Sequence, residues 1–124
     1  MLIEQGDKMS KTAIRITTNS EIIIETIPEG SDKAEYQYLK SSVGGYIQAV
    51  PLEKPADDLT MWCNEEGKLD GLPLNFVATY LWELSYGKTD LIMGDIVITG
   101  GADDEGETLG LTKEQEDKLL SVLK

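Results

Sequence analysis

VGGYIQAVPLEKPADDLTMWCNEEGKLDGLPLNFVATYLWEL, residues 43–84, decides the fold. This stretch holds both tryptophans, the sole cysteine and three of the four prolines. Gly44-Gly45 stops a preceding helix. Residues 46–52 form a strand whose Pro51 places its end at a sheet edge. Residues 53–58, EKPADD, are a polar loop. Residues 59–63 alternate, with Leu59, Met61 and Cys63 on one side and Thr60 and Trp62 on the other, as in a half-buried strand. Residues 64–67 make a tight turn in which Gly67 is expected at positive φ. Residues 68–72 return as a short strand, closed by Gly71 and Pro73. Asn75 then caps a helix. Its apolar stripe is Phe76, Val77, Tyr80, Leu81 and Leu84, expected to face the core. At about 100° per residue, Trp82 falls almost opposite that stripe, with Ala78 and Ser85 beside it. Gly87 closes the helix.

Working outward, residues 12–18 and 21–27 form a β-hairpin, with Ile14 and Ile16 on one face and Ala13, Arg15 and Thr17 on the other. Pro28-Glu29-Gly30 ends it. Asp32 with Glu35 resembles a capping box, Ser31 being the neighbouring cap candidate, and Tyr36, Leu39 and Val43 follow at helical spacing. On the other side, residues 90–99 are the longest strand, apolar on both faces and therefore central. Residues 100–110 are an acidic glycine loop. Thr112 and Gln115 form a capping box before a terminal helix with Leu119, Leu120 and Leu123 on its apolar side. The order is β-β-α-β-β-β-α-β-α. Paired strands argue for an α+β fold: a mostly antiparallel, twisted sheet with about three helices packed on it. Residues 1–11 are a polar leader, with Met9 as an alternative start, and residues 12–124 are a single α+β domain.

The 124 residues carry 23 acids against 11 bases, a net charge of −12, with no histidine and Arg15 as the single arginine. Such acidity opposes direct binding to nucleic acid and favours a partner with a basic surface. One cysteine permits no intramolecular disulfide and fits a reducing cytoplasm. No signal peptide or membrane span is present, so no membrane partner is expected.

Without histidine, Ser-His and Cys-His nucleophile pairs are impossible, and Cys63 is expected in the core. Zinc ligand sets are absent, and Asp103, Asp104, Glu105 and Glu107 lack calcium-loop spacing. Neither Gly44-Gly45 nor Gly100-Gly101 completes a phosphate loop. The expectation is therefore a protein that is not an enzyme, with no catalytic residues, metal or cofactor. Trp82, on the presumed outer face with Ala78 and Ser85, joins the acidic Asp103, Asp104 and Glu105 as the expected partner-binding set. A homodimer through the Trp82 face is the other use of that face. The alternative is a small-molecule or nucleotide site at Glu65, Glu66, Lys68 and Asn75, anchored by the helix N-terminus.

Three motifs carry a family resemblance: VGGYIQAVPL, WCNEEGKLDGLPLN with Ala78 three residues on, and MGDIVITG before the acidic glycine loop. They resemble the domain of unknown function 3846, carried by bacteriophages and mobile elements. The likeness covers residues 43–111, leaving the N-terminal hairpin outside. The matching residues are Gly44, Gly45, Glu66, Gly67, Leu69, Leu72, Asn75, Ala78, Gly94 and Asp95. The resemblance implies an accessory protein acting in the cytoplasm of an infected bacterial host, and it implies no activity. Joined to the charge, it leads to the expectation of a non-enzymatic protein that binds and inhibits or redirects a host protein, in anti-defence or host takeover, by acidic mimicry of nucleic acid. Sequestration of a small molecule or nucleotide is the alternative.

Overall fold

The computed structural model describes residues 11–28 and 32–123. The leader, the Met9 start, Glu29-Gly30 and the Ser31 cap lie outside the described residues, except that Lys11 begins the first strand.

The alternating N-terminal segment forms the expected hairpin, β1 (Lys11–Ile16) paired antiparallel with β2 (Ile22–Ile27), Ile14 opposite Ile24. Helix α1 (Asp32–Val43) follows, then strands β3 (Ile47–Leu52) and β4 (Leu59–Asn64). Helix α2 (Phe76–Tyr86), strand β5 (Ile96–Gly100) and helix α3 (Lys113–Leu123) complete the chain. All pairings are antiparallel, in the order β2-β1-β5-β4-β3. The fold is α+β, as the paired strands imply. Pro51 lies on the edge strand β3, where a missing N–H costs least.

Side-chain alternation separates two cores. Ala13, Ile27, Leu39 and Val97 pack with Tyr38, Ile47 and Trp62, placing α1 on one sheet face. Ile14, Ile16, Met61, Ile96 and Ile98 pack on the other face with Ala78 and Leu81 of α2 and Leu119 of α3. β5 contributes to both, and all of it is buried, which explains its two-sided apolar pattern.

Three local readings are corrected. β5 spans five residues instead of covering 90–99. Upstream, the N–H of Ile92 donates to Thr79 Oγ1 at 2.9 Å and its carbonyl accepts Asn75 N–H at 2.8 Å, so α2 takes the backbone groups a ladder would use. Residues 68–72 are a run of turns: the N–H groups of Asp70, Gly71 and Leu72 donate to Glu66, Lys68 and Gly67 carbonyls. The fifth β element of the expected order is thereby reduced to the single bridge Leu74–Met93. Finally, α2 is rotated. Ala78 and Leu81 are fully buried, whereas Phe76 is 70%, Tyr80 43% and Leu84 36% exposed.

On the α1 face, Glu25 accepts hydrogen bonds from Arg15 Nη2 at 3.0 Å and Tyr38 Oη at 2.6 Å. Burial raises the Glu25 carboxyl, but those two donors more than offset it and hold it below its ordinary value. Burial also raises the Tyr38 hydroxyl, further helped by Glu25. A depressed folded-state value stabilises the fold above the unfolded Glu value of about 4.3, and that stability is lost as pH falls through the folded value. Glu25→Gln is therefore expected to lower stability by about 1 kcal/mol at pH 7. Urea denaturation of both proteins should show the gap closing below about pH 4.

Candidate functional site

Between β3, β4, α2 and the segment before β5 lies a cleft of about 370 Å³. Val50, Cys63, Ile92 and Met93 line it with apolar surface, and Gln48 and Asn64 add polar groups. The turn after β4 supplies Glu65, Glu66, Lys68 and Leu69. Trp82 and the segment Asp90–Leu91 close the remaining sides.

Local chemistry builds this turn. Buried Asn64 donates from Nδ2 to the Val43 carbonyl at 3.3 Å and accepts Glu66 N–H on Oδ1 at 2.8 Å. Gly45 leaves room for that amide, since a Cβ there would lie 2.7 Å from Asn64 Nδ2. Gly67 does not take the positive φ expected of it. It is needed for space: a Cβ would stand 3.0 Å from the Met93 carbonyl oxygen. Gly67→Ala should therefore push the turn from the Met93 segment and cost about 1–2 kcal/mol. Urea denaturation followed by tryptophan emission checks both effects, because Trp82 borders the displaced segment.

Trp82 is not an outward-facing residue. Its ring is half-buried against the core, its Nε1–H donates to Thr89 Oγ1 at 2.9 Å, and it lies 4.4 Å from the Tyr86 ring, tilted by 38°. Tyr86 is tied in turn through its hydroxyl to the Pro51 carbonyl. The tryptophan is thus a braced wall of the cleft.

The expected partner-binding set is not brought together. Ala78 has no exposed surface. The Ser85 hydroxyl accepts the backbone N–H groups of Glu53 and Lys54 at 3.2 and 3.3 Å. Asp103, Asp104 and Glu105 are exposed on the β5–α3 loop and do not line the cleft; Asp103 Oδ1 holds that loop by accepting Glu105 and Glu107 N–H. A homodimer through Trp82, Ala78 and Ser85 loses its basis, because these residues pack inward or brace the loop before β4.

The alternative set fares better. Glu65, Glu66 and Lys68 share the cleft, but Asn75 does not. Asn75 is fully buried: Oδ1 accepts Ala78 N–H at 2.9 Å, and Nδ2 donates to the Ile16 and Gly94 carbonyls at 3.1 and 2.9 Å. It caps α2 and ties it to β1, and with no exposed surface it does not reach a ligand in the cleft.

The sequence reading missed Gln48, Asn64, Asp90 and Met93 as lining residues. Leu69 did carry a signal, as an apolar residue between Lys68 and Asp70 in a turn, and it is 86% exposed. Gln48, Asp90 and Met93 come from segments far from that turn in the chain.

Charge in the cleft is unbalanced. Lys68 is paired with Asp90, and that bond, with Leu91 N–H, holds the Asp90 carboxyl below its ordinary value. No ion pair engages Glu65 or Glu66 among the described residues. Burial pushes the Cys63 thiol up to about 11, with Asp90 adding to the effect and Lys68 opposing it, so it is a neutral thiol near pH 7. Among the described residues no cluster of three or more ligating side chains is placed to hold a metal ion.

A family model described as domain of unknown function (DUF3846) matches residues 9–124. The chain belongs to the DUF3846 family. The match takes in the β1–β2 hairpin, which lay outside the resemblance read from the motifs. No curated protein and no solved structure matches the chain. Most of the motif residues in this DUF3846 chain have structural duties. Gly44 has φ 79° after α1, Gly94 has φ 90°, and a Cβ on Gly94 would meet Leu72 Cδ1 at 2.8 Å. Asp95 Oδ1 accepts Thr18 N–H at 2.9 Å. Glu66 and Leu69 are the matching residues whose side chains are exposed at the cleft.

Proposed function

We propose that this DUF3846 protein is a non-enzymatic binding protein that engages a basic surface on a protein partner through the cleft beside Trp82. The observation that carries this reading is the cleft itself: an apolar floor and a braced tryptophan, bordered by Glu65, Glu66 and Asp90 against Lys68 alone. A net charge of −12 steers the whole molecule toward cationic surfaces and away from phosphate backbones. In the phage or mobile-element setting that the motif resemblance implies, the partner is a host protein in the bacterial cytoplasm. Occupying its nucleic-acid-binding face would inhibit or redirect it, an anti-defence or host-takeover role.

Affinity capture from bacterial lysate at stepped salt tests this. The expected catch is one or a few nucleic-acid-binding proteins, released as salt screens the contact, and displaced by their own nucleic acid. Capture of nothing at low and moderate salt would overturn the proposal.

The volume of about 370 Å³ also favours a second reading, sequestration of a small molecule. A nucleotide suits it poorly: Lys68, the one cation in the cleft, is paired with Asp90, and Asn75 is buried. Thermal-shift measurements with nucleotides and with small organic cations separate the two, since a tight ligand raises the melting temperature by mass action.

A further inference from the structure

We propose that the cleft takes the guanidinium group of an arginine side chain presented by the partner protein, an inference that rests on the binding role proposed above. Three features select that group. The first is the wall. Trp82 is held by Thr89 and Tyr86, so its ring is a prepared surface for a flat cation, and tryptophan is the best aromatic partner for one. The second is the rim. Glu65 and Glu66 are adjacent, exposed and without an internal ion pair among the described residues, so their oxygens are open to a forked N–H donor. The third is the floor. Val50, Cys63, Ile92 and Met93 make it apolar, and the neutral thiol adds no charge.

An apolar floor discriminates between cations. The ammonium of lysine is compact and strongly hydrated, whereas a guanidinium sheds water more readily and stacks on aromatic faces. Glu65, Glu66 and Asp90 set against Lys68 leave the lining with two net negative charges, which repels an anion and favours a cation. Asp90 is already paired with Lys68, so the entering group meets Glu65 and Glu66 first.

The test uses the full chain, isotope-labelled, with N-acetyl-arginine methylamide as the probe and its lysine and citrulline counterparts as comparisons. The resonances followed are the Trp82 indole N–H and the Glu65–Leu69 amides. The arginine compound should shift them saturably, the lysine compound should bind about fivefold more weakly, and neutral citrulline should leave them unmoved. The double variant E65Q/E66Q should weaken the arginine compound about tenfold, and it should stay folded because both side chains are exposed. Absence of any shift, equal binding of lysine or citrulline, or unchanged binding by the double variant would each overturn the inference. Partner capture that survives E65Q/E66Q would leave the binding role standing without the arginine site. Saturable arginine binding with no partner captured would do the reverse.

Discussion

Asn75→Ala is expected to lower the unfolding free energy by about 3–5 kcal/mol, a large share of the stability of a small domain. The side chain is fully buried and makes three hydrogen bonds at once. Alanine leaves Ala78 N–H without its cap and strips the Ile16 and Gly94 carbonyls of their donor. Each loss removes a hydrogen bond from a backbone group in the interior, and a cap alone is worth about 1 kcal/mol. Asn75→Asp separates the two roles. A carboxylate preserves the cap acceptor but faces two carbonyl oxygens with no proton to give, so it should recover little stability at pH 7. Urea denaturation of both variants is the measurement. A loss below about 1 kcal/mol for Asn75→Ala would mean the three bonds are easily replaced. The variant also bears on the site, because Asn75 joins the start of the Trp82 helix to β1 and to the chain just after Met93.

Gly100→Ala should cost about 2–4 kcal/mol, for a different physical reason. A Cβ there would lie 2.6 Å from the Gly110 carbonyl oxygen and 3.1 Å from that of Leu109. Both are backbone atoms, and the loop cannot retreat. Gly110 already sits where its own Cβ would be 2.7 Å from Thr12 N, and Leu111 N–H donates to the Thr12 carbonyl at 2.8 Å. The acidic loop is thus clamped onto the middle of the sheet at its ends, while its tip is exposed. Gly106→Ala is the matched control, since its φ is 82° but no atom lies within 4 Å of the added Cβ. It should lose only about 1 kcal/mol, from left-handed backbone strain. Thermal melts of the pair separate steric room from conformational freedom.

The hairpin, the three helices and the chain order of the elements, apart from the 68–72 strand, were legible because alternation and capping are local. Thr112 and Gln115 make the reciprocal capping bonds their spacing implies, at 2.9 and 3.0 Å. The orientation of α2 was not legible. Of the expected stripe, Phe76, Tyr80 and Leu84 point outward, whereas Leu81 is buried and Val77 packs against the core, and the smaller Ala78 and Thr79 also point in. The helix packs into the core through Ala78 and Leu81. It can bury Asn75 and Thr79 only because Ile16, Gly94 and Ile92 supply hydrogen-bond partners from distant parts of the chain. Periodicity measures apolar content along one helix and cannot know those partners. The same blindness placed Trp82 outside.

In this protein the sequence alone determined the hairpin, the three helices, the α+β class and the excess of negative charge, all properties of neighbouring residues or of the whole composition. The two-sided burial of the β5 core also lay in its local pattern. Only the tertiary structure decided that the turn after β4, Trp82 and Asp90 share one cleft. It also decided that Asn75 is an internal tie rather than a ligand anchor. Those facts depend on which backbone groups meet across the fold, and no spacing along the chain encodes that directly.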